Sequence, residues 1–272
     1  QAQGNIMDFK DNVVILTGAS SGIGEAMAHQ LAEQGACLAL AARNTVKLAA
    51  VAEACRARGG RALAVPTDVT DEAECRALID RAVAEYGRID TLINNAGLSM
   101  WMKLEEVEDL STLEYLMRVN YFGSLYCTYY ALPYLKKTRG RIVGVASVAA
   151  RTGVPTRTGY AASKHALVGF LESLRIEVED DGISVTISYP DFVGSGMHTR
   201  SLGADGQPLG HNPLQLDKVM TSEECARRTL AGAAARRRQV VMSTRSRVGQ
   251  WLKLIAPGQV DKIARDAIKK GR

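Results

Sequence analysis

No two cysteines in this chain stand at C-x-x-C spacing, and their total of five is odd. That pattern excludes a disulfide framework and a cysteine zinc site, so a reducing, cytoplasmic setting is expected. Cys37 and Cys127 lie inside apolar runs, where a free thiol acts as a small hydrophobe. No apolar run reaches the ~18–20 residues that span a bilayer. The first residues lack the charged and apolar regions of a signal peptide. The polar opening QAQGN has no periodicity and reads as a disordered end, part of an extension over residues 1–10. Linkers, internal repeats and low-complexity stretches are also missing before residue 245.

What is present is the composition of an ordinary globular protein: 272 residues, 46% hydrophobic and 23% charged. The net charge of +5 is unevenly placed, because residues 236–272 hold eleven Lys/Arg against two Asp, a local +9 that leaves −4 on the rest. The basic stretch lacks a run of interleaved aromatics and any recognition module, so no nucleic-acid partner is expected.

Strand-like and helix-like segments alternate along the chain, the pattern of a parallel sheet covered on both faces. Apolar runs predict strands at NVVILTG, CLALAA, RALAV, TLIN, RIVGVAS, ISVTISYP and QVVMS. Between them, helices are predicted over 23–34, up to Arg58 before Gly59-Gly60, from a Thr70 or Asp71 cap to Tyr86, over a long stretch 103–137, over 160–179, and over 222–238. Residues 191–221 form a loop-rich insert.

TGASSGIG (17–24) follows the first strand and opens a helix. Glycines there let backbone N–H groups approach a pyrophosphate at the positive end of the helix. At the end of the second strand the chain reads LALAARN. NAD enzymes place a carboxylate there for the ribose 2′-OH, whereas Ala42 is followed here by Arg43, whose fork of donors suits a 2′-phosphate. NADP(H) is therefore expected, with no metal.

Tyr160 and Lys164 stand four apart in GYAASKHALVGF, on one helix face, with Ala161, Ala162 and Ser163 between them. A phenol is a poor acid-base near neutral pH until its pKa, ~10 in peptides, is lowered, and a cation one helical turn away favours the phenolate. An isolated YxxxK is also what an interfacial tyrosine and a solvated lysine look like. Ser147 ends the fifth strand, at the carboxyl edge where ligands of doubly wound sheets bind.

TGxxxGIG, NNAG at 94–97, Ser147 and YxxxK stand in the order and spacing of the short-chain dehydrogenase/reductase family, which the chain resembles from residue 11 to about 243. The resemblance implies a single-domain, doubly wound (Rossmann) α/β fold, a parallel sheet of about seven strands with helices on both faces. The dinucleotide-binding and catalytic domain would cover 11–244, with the substrate loop at 191–221 and a tail over 245–272. It implies that Tyr160 exchanges the proton, Lys164 lowers the phenol pKa and holds the ribose, Ser147 positions the substrate oxygen, and Asn120 completes a proton path through water. Asn120 also reads as a helix-interior residue satisfying local backbone.

For the cofactor, the resemblance implies contacts from Gly18, Ser20, Ser21, Gly22, Ile23 and Gly24 at the turn, and from Arg43 and Asn44 after the second strand. Asp68 and Val69 would follow at the adenine, Asn95, Ala96 and Gly97 at the adenosine half, then Tyr160 and Lys164, and Pro190, Val193 and Ser195 at the carboxamide. Asp68 reads equally as a turn aspartate. Two departures from the family pattern stand out, Asp191 for a glycine and Val148 for a second serine.

Met100, Trp101, Phe192, Met197 and Leu202 predict an apolar pocket for a bulky hydrophobic ketone or secondary alcohol, with His198 either a pocket group or exposed. In the tail, which resembles those of hydroxysteroid dehydrogenase-like relatives, Val260, Ile263, Ala264, Ala267 and Ile268 fall at helical spacing opposite Lys262, Arg265, Lys269 and Lys270. That segment reads as peripheral membrane contact or as a helix packing on a subunit. The resemblance further implies a homo-dimer or homo-tetramer. The alternative to an enzyme is an inactive NADP(H)-binding regulatory protein of the same fold, although such proteins usually lose one of Tyr, Lys or Ser.

Overall fold

The computed structural model describes residues 9–212 and 219–270. Most of the predicted extension, residues 213–218 of the predicted substrate loop, and the side chains of Ala267, Ile268, Lys269 and Lys270 in the predicted tail stripe lie outside the described residues.

Short, continuously apolar segments form the strands because both faces of the sheet are covered. β1 (Val13–Thr17), β2 (Cys37–Ala42) and β4 (Thr91–Asn94) are buried at every position. With β3 (Arg61–Pro66), β5 (Arg141–Val145), β6 (Ser184–Tyr189) and, late in the chain, β9 (Gln239–Val241), they make a seven-stranded sheet ordered β3-β2-β1-β4-β5-β6-β9. Every pairing is parallel. The two-residue strands β7 (Val193–Gly194) and β8 (Met220–Thr221) pair separately. The order reverses between β1 and β4, so the loops leaving those strands diverge and open a crevice at their carboxyl ends.

Alternate strand residues feed two cores. Val14, Leu16, Leu38 and Leu40 pack with helices α1 (Gly22–Ala32), α2 (Thr45–Ala57) and α7 (Ser222–Ala234). Ile15, Leu92 and Ile142 pack with α3 (Glu72–Tyr86), α5 (Gly123–Thr138) and α6 (Thr158–Glu177) on the opposite face. Of the two expected caps for α3, Asp71 does the work, accepting from the amides of Ala73 and Glu74 at 2.7 and 3.2 Å. All five cysteines are free and buried.

Two helices depart from expectation. The stretch predicted as 103–137 divides into a 3₁₀ turn (Leu104–Glu106), α4 (Ser111–Met117), a π turn (Arg118–Phe122) and α5. A π turn adds one residue to the helical repeat without interrupting it, so the apolar periodicity hardly registers the break. α7 stops at Ala234, short of the predicted residue 238. Arg236 adopts φ 50°, and its guanidinium donates to the carbonyls of Arg139, Gly140 and Gly182. The tail breaks at Pro257 into α8 (Thr244–Ile255) and α9 (Pro257–Lys270).

Candidate active site

The crevice at the switch point is a cleft of about 570 Å³. Every predicted cofactor residue, from Gly18 through Ser195, lines it, together with Ser147, Tyr160 and Lys164. Asn120 is the one predicted site residue that stands behind the wall.

Backbone proximity at the glycine turn explains its composition. Gly22 sits at φ 59°, and a Cβ there would lie 2.6 Å from the Ser195 carbonyl oxygen. A Cβ at Gly24 would lie 2.1 Å from the Gly18 carbonyl oxygen. The turn is thus closed onto itself and onto the loop after β6, leaving the first amides of α1 at the cleft. Ser21, the N-cap of α1, makes no capping bond with its side chain. The Asn95 Nδ2 donates to the carbonyls of Thr17 and Gly18 at 3.0 and 3.2 Å, and Thr17 Oγ1 accepts from the amides of Asn95 and Ala96. Asn94 fixes β4 from the other side by donating to Thr128 Oγ1 at 2.9 Å.

At the end of β2, Arg43 is 60% exposed, contacts the Tyr115 hydroxyl and lies 3.9 Å from Asp68. Arg200, from the insert, faces the same place: burial and the charge of Arg43 both pull its guanidinium below its ordinary value. Asp68 Oδ1 accepts from the amide and hydroxyl of Thr70, so it holds its own turn while also lining the cleft. Asn44 caps α2 through the Lys47 amide.

The reacting end is built on α6. Tyr160 is 5% exposed and its hydroxyl faces Ser147. Burial pushes the phenol above its ordinary value, and the Ser147 hydroxyl and the Arg157 charge act in the opposite direction. Lys164, 2% exposed, donates to the Val145 carbonyl at 2.9 Å, and burial lowers its pKa to about 8. Its Nζ is 6.0 Å from the centre of the Tyr160 ring.

Asn120 lies in the π turn and is fully buried. Its Oδ1 accepts from the Leu98 amide at 2.8 Å, while Nδ2 donates to the Leu98 carbonyl and to Ser163 Oγ at 2.9 and 2.8 Å. These bonds clamp the loop after β4 to α6. A Cβ on Gly97 would sit 3.3 Å from Asn120 Oδ1 and 3.4 Å from Lys164 Nζ, so the two side chains flank one narrow gap.

Three features were missed or left open by sequence reasoning. Arg157, in TRTGY, is buried at 6% exposure, lines the cleft, and lies 4.4, 5.6 and 5.9 Å from the ring centres of Trp101, Phe192 and Tyr160. The only signal was an arginine one turn before the tyrosine. His198 is a pocket group: it is buried, lines the cleft, and has its pKa lowered to about 4, mainly by burial and then by Arg157. Asp191 accepts from Ser243 Oγ and Ser246 Oγ at 3.1 and 3.3 Å, tying the loop after β6 to the start of α8.

Of the apolar residues expected to form the pocket, Met197 and Leu202 line the cleft. Met100 is instead fully buried in a small core with Leu116 and Tyr160, and Phe192 lines a second cleft under the tail helices. The insert reaches the site because Leu202 exchanges backbone bonds with Ser99 and Trp101, both at 2.9 Å.

Residues 12–204 match the family model described as short chain dehydrogenase. Among curated relatives, 11-beta-hydroxysteroid dehydrogenase-like 4A of Arabidopsis thaliana is 37% identical over 246 residues, 90% of this chain and 81% of the relative. 11-beta-hydroxysteroid dehydrogenase A of Sesamum indicum is 36% identical over 264 residues, 95% of this chain and 76% of the relative. Among solved structures, a short chain dehydrogenase/reductase from Burkholderia phymatum in complex with NAD superposes with a TM-score of 0.80 at 26% identity, covering 91% of this chain and 94% of that one.

Proposed function

Because the chain belongs to the short-chain dehydrogenase/reductase family, in its hydroxysteroid dehydrogenase-like branch, we propose that it is an NADP(H)-dependent oxidoreductase interconverting a ketone and a secondary alcohol on a bulky, largely apolar substrate. The observation that carries this reading is the grouping of Tyr160, Ser147 and Lys164 in the wall of the cleft that also holds the glycine turn. When bound, a nicotinamide dinucleotide supplies or accepts the hydride. The chain's own residues handle the oxygen and its proton. Ser147 holds the substrate oxygen, and Tyr160 gives it a proton in reduction or takes one in oxidation. The Lys164 and Arg157 charges favour the phenolate that results. Asn120 acts by positioning, keeping Gly97 and α6 in register. Residues 11–244 form the working unit in this reading, and 245–272 are an appendage.

Preference for NADP(H) rests on two guanidiniums, Arg43 and Arg200, converging at the end of β2, where Ala42 stands in place of the acid of NAD enzymes and the nearby Asp68 carboxylate is already paired with Arg43. The NAD bound by the Burkholderia relative is the competing outcome. A screen of apolar ketones and alcohols with both cofactors, following the reduced nicotinamide, is the test. Arg43→Asp is expected to swing preference toward NADH by about 100-fold, the size of losing one charge-assisted phosphate contact and adding one repulsion. Unchanged relative affinity would sink the NADP(H) assignment.

Among the described residues no helix is long and apolar enough to cross a membrane. The tail presents an apolar outer face instead: Val248, Trp251, Leu254 and Ile255 are 59, 74, 75 and 82% exposed. Its inner side is tied to the body by Lys253, which donates to the Arg151 carbonyl. With +9 on residues 236–272, that face fits the surface of an anionic membrane. Co-sedimentation with phosphatidylserine vesicles at low salt is expected, and loss of it in Trp251→Asp. Absence of sedimentation, with Trp251→Asp splitting an oligomer on gel filtration, would assign the face to a second copy.

A further inference from the structure

Arg157 has the features of a residue waiting for an anion. Its Nε and Nη2 are buried and have no hydrogen-bond partner. No carboxylate among the described residues lies within ion-pair distance of it. The rings of Trp101 and Phe192 pack near the guanidinium, and cation–π contact offsets only part of the lost hydration. Its polar neighbour His198 stays neutral at working pH and contributes no negative charge. A buried, unpaired guanidinium is among the costliest groups a fold can retain. The backbone holding it is also unusual. Thr156, immediately before it, is a β-branched residue at φ 66°, kept there while its carbonyl accepts from the Met102 amide at 3.0 Å.

Arg157 lines the same cleft as the reacting tyrosine. Arg157 stands at the start of α6, one turn before Tyr160, and its guanidinium lies 5.9 Å from the centre of the Tyr160 ring, so a group paired with it lies close to the phenol. We infer that Arg157 reads a carboxylate on the substrate. The substrate class is then an oxo- or hydroxycarboxylate whose acid group lies a few bonds from the reacting carbon. The apolar remainder runs past Met197 and Leu202. This rests on the oxidoreductase reading for the chemistry, but the recognition itself does not require turnover. A neutral ketone would leave the guanidinium unpaired in the closed cleft, a discrimination stronger than any that one methylene provides.

The test has two arms. In the first, γ- and δ-oxocarboxylates with alkyl tails are compared with their methyl esters as substrates. Wild type is expected to favour the acid in kcat/KM by about 30- to 100-fold, the size of a charge-assisted hydrogen bond. Arg157→Met should collapse that ratio mainly through KM for the acid, with Arg157→Lys retaining part of it. In the second arm, decanoate and methyl decanoate serve as non-reacting probes of the enzyme–NADPH complex by calorimetry, and unaltered NADPH affinity certifies that each variant is folded. Tighter binding of decanoate, lost in Arg157→Met, supports the inference even where no ketone is turned over, and in that case only the oxidoreductase reading fails. Equal binding of acid and ester to wild type overturns the inference. So does an Arg157→Met variant that lowers kcat equally on acid and ester and leaves their kcat/KM ratio at the wild-type value, because the arginine would then act only through the Tyr160 phenol.

Discussion

Replacing Tyr160 with phenylalanine is expected to lower kcat by about three orders of magnitude while leaving NADPH affinity within a few-fold, since a positioned acid-base typically contributes 10²–10⁴-fold. The substitution is unusually clean here. The ring packs in a small core with Met100, Leu116 and Ala149, and phenylalanine keeps those contacts. Only the hydroxyl goes, and Ser147 retains the Ala149 amide as a donor to its own oxygen. The stability change should stay near ~1 kcal/mol, the usual worth of one hydrogen bond. The pH dependence adds a second reading of the same residue. Burial raises the phenol, so the deprotonated form that oxidation needs is scarce at neutral pH, and alcohol oxidation should accelerate as pH rises whereas ketone reduction should not. A Tyr160→Phe variant that keeps a tenth of wild-type kcat would mean that another group moves the proton.

Which parts of this site could be read in advance follows from what each residue must satisfy locally. The glycine turn was legible because Gly18 and Gly22 sit at positive φ and a Cβ on Gly24 would meet the Gly18 carbonyl, demands that operate within a few residues of chain. The pair Tyr160 and Lys164 was legible because helical spacing alone puts both on one face. Arg157 was not, although it lies only three residues from Tyr160. An arginine is exposed by default, and its burial depends on Trp101 and Phe192 arriving from two distant loops. Arg200 was invisible for the same reason, since it meets Arg43 only after Leu202 has bridged the insert to Ser99 and Trp101. Asp191 stood out only as a departure from the family's glycine, because its partners Ser243 and Ser246 come from 52 and 55 residues further along the chain. Its backbone does not sit in the left-handed region that would have demanded glycine.

Lys164→Met is expected to abolish useful turnover and at the same time to make the protein more stable at neutral pH. The lysine is 2% exposed and its pKa is lowered from 10.5 to about 8 by burial alone. A base whose folded pKa lies below its unfolded value binds its proton less well in the fold, so the charged form costs stability. Below about pH 8 both states hold the proton and the whole cost is present, up to about 3 kcal/mol at 1.36 kcal/mol per unit. Between about 8 and 10.5 the unfolded chain still binds a proton that the folded protein has released, so stability rises with pH through that window. Methionine has similar reach without the charge, but it leaves the Val145 carbonyl without the 2.9 Å bond, a loss of about 1 kcal/mol. The expected net gain near pH 7 is therefore about 1–2 kcal/mol, or roughly 2–6 °C in Tm. It should shrink when unfolding is measured near pH 9.5, where the wild-type lysine is mostly neutral in the fold. A group kept at such a cost in the wall of the cleft is what a working site retains against the pull of stability. A Lys164→Met variant less stable than wild type at pH 7, with a difference that does not move with pH, would show that the lysine is held for the fold and would remove the argument for its role at the reacting centre.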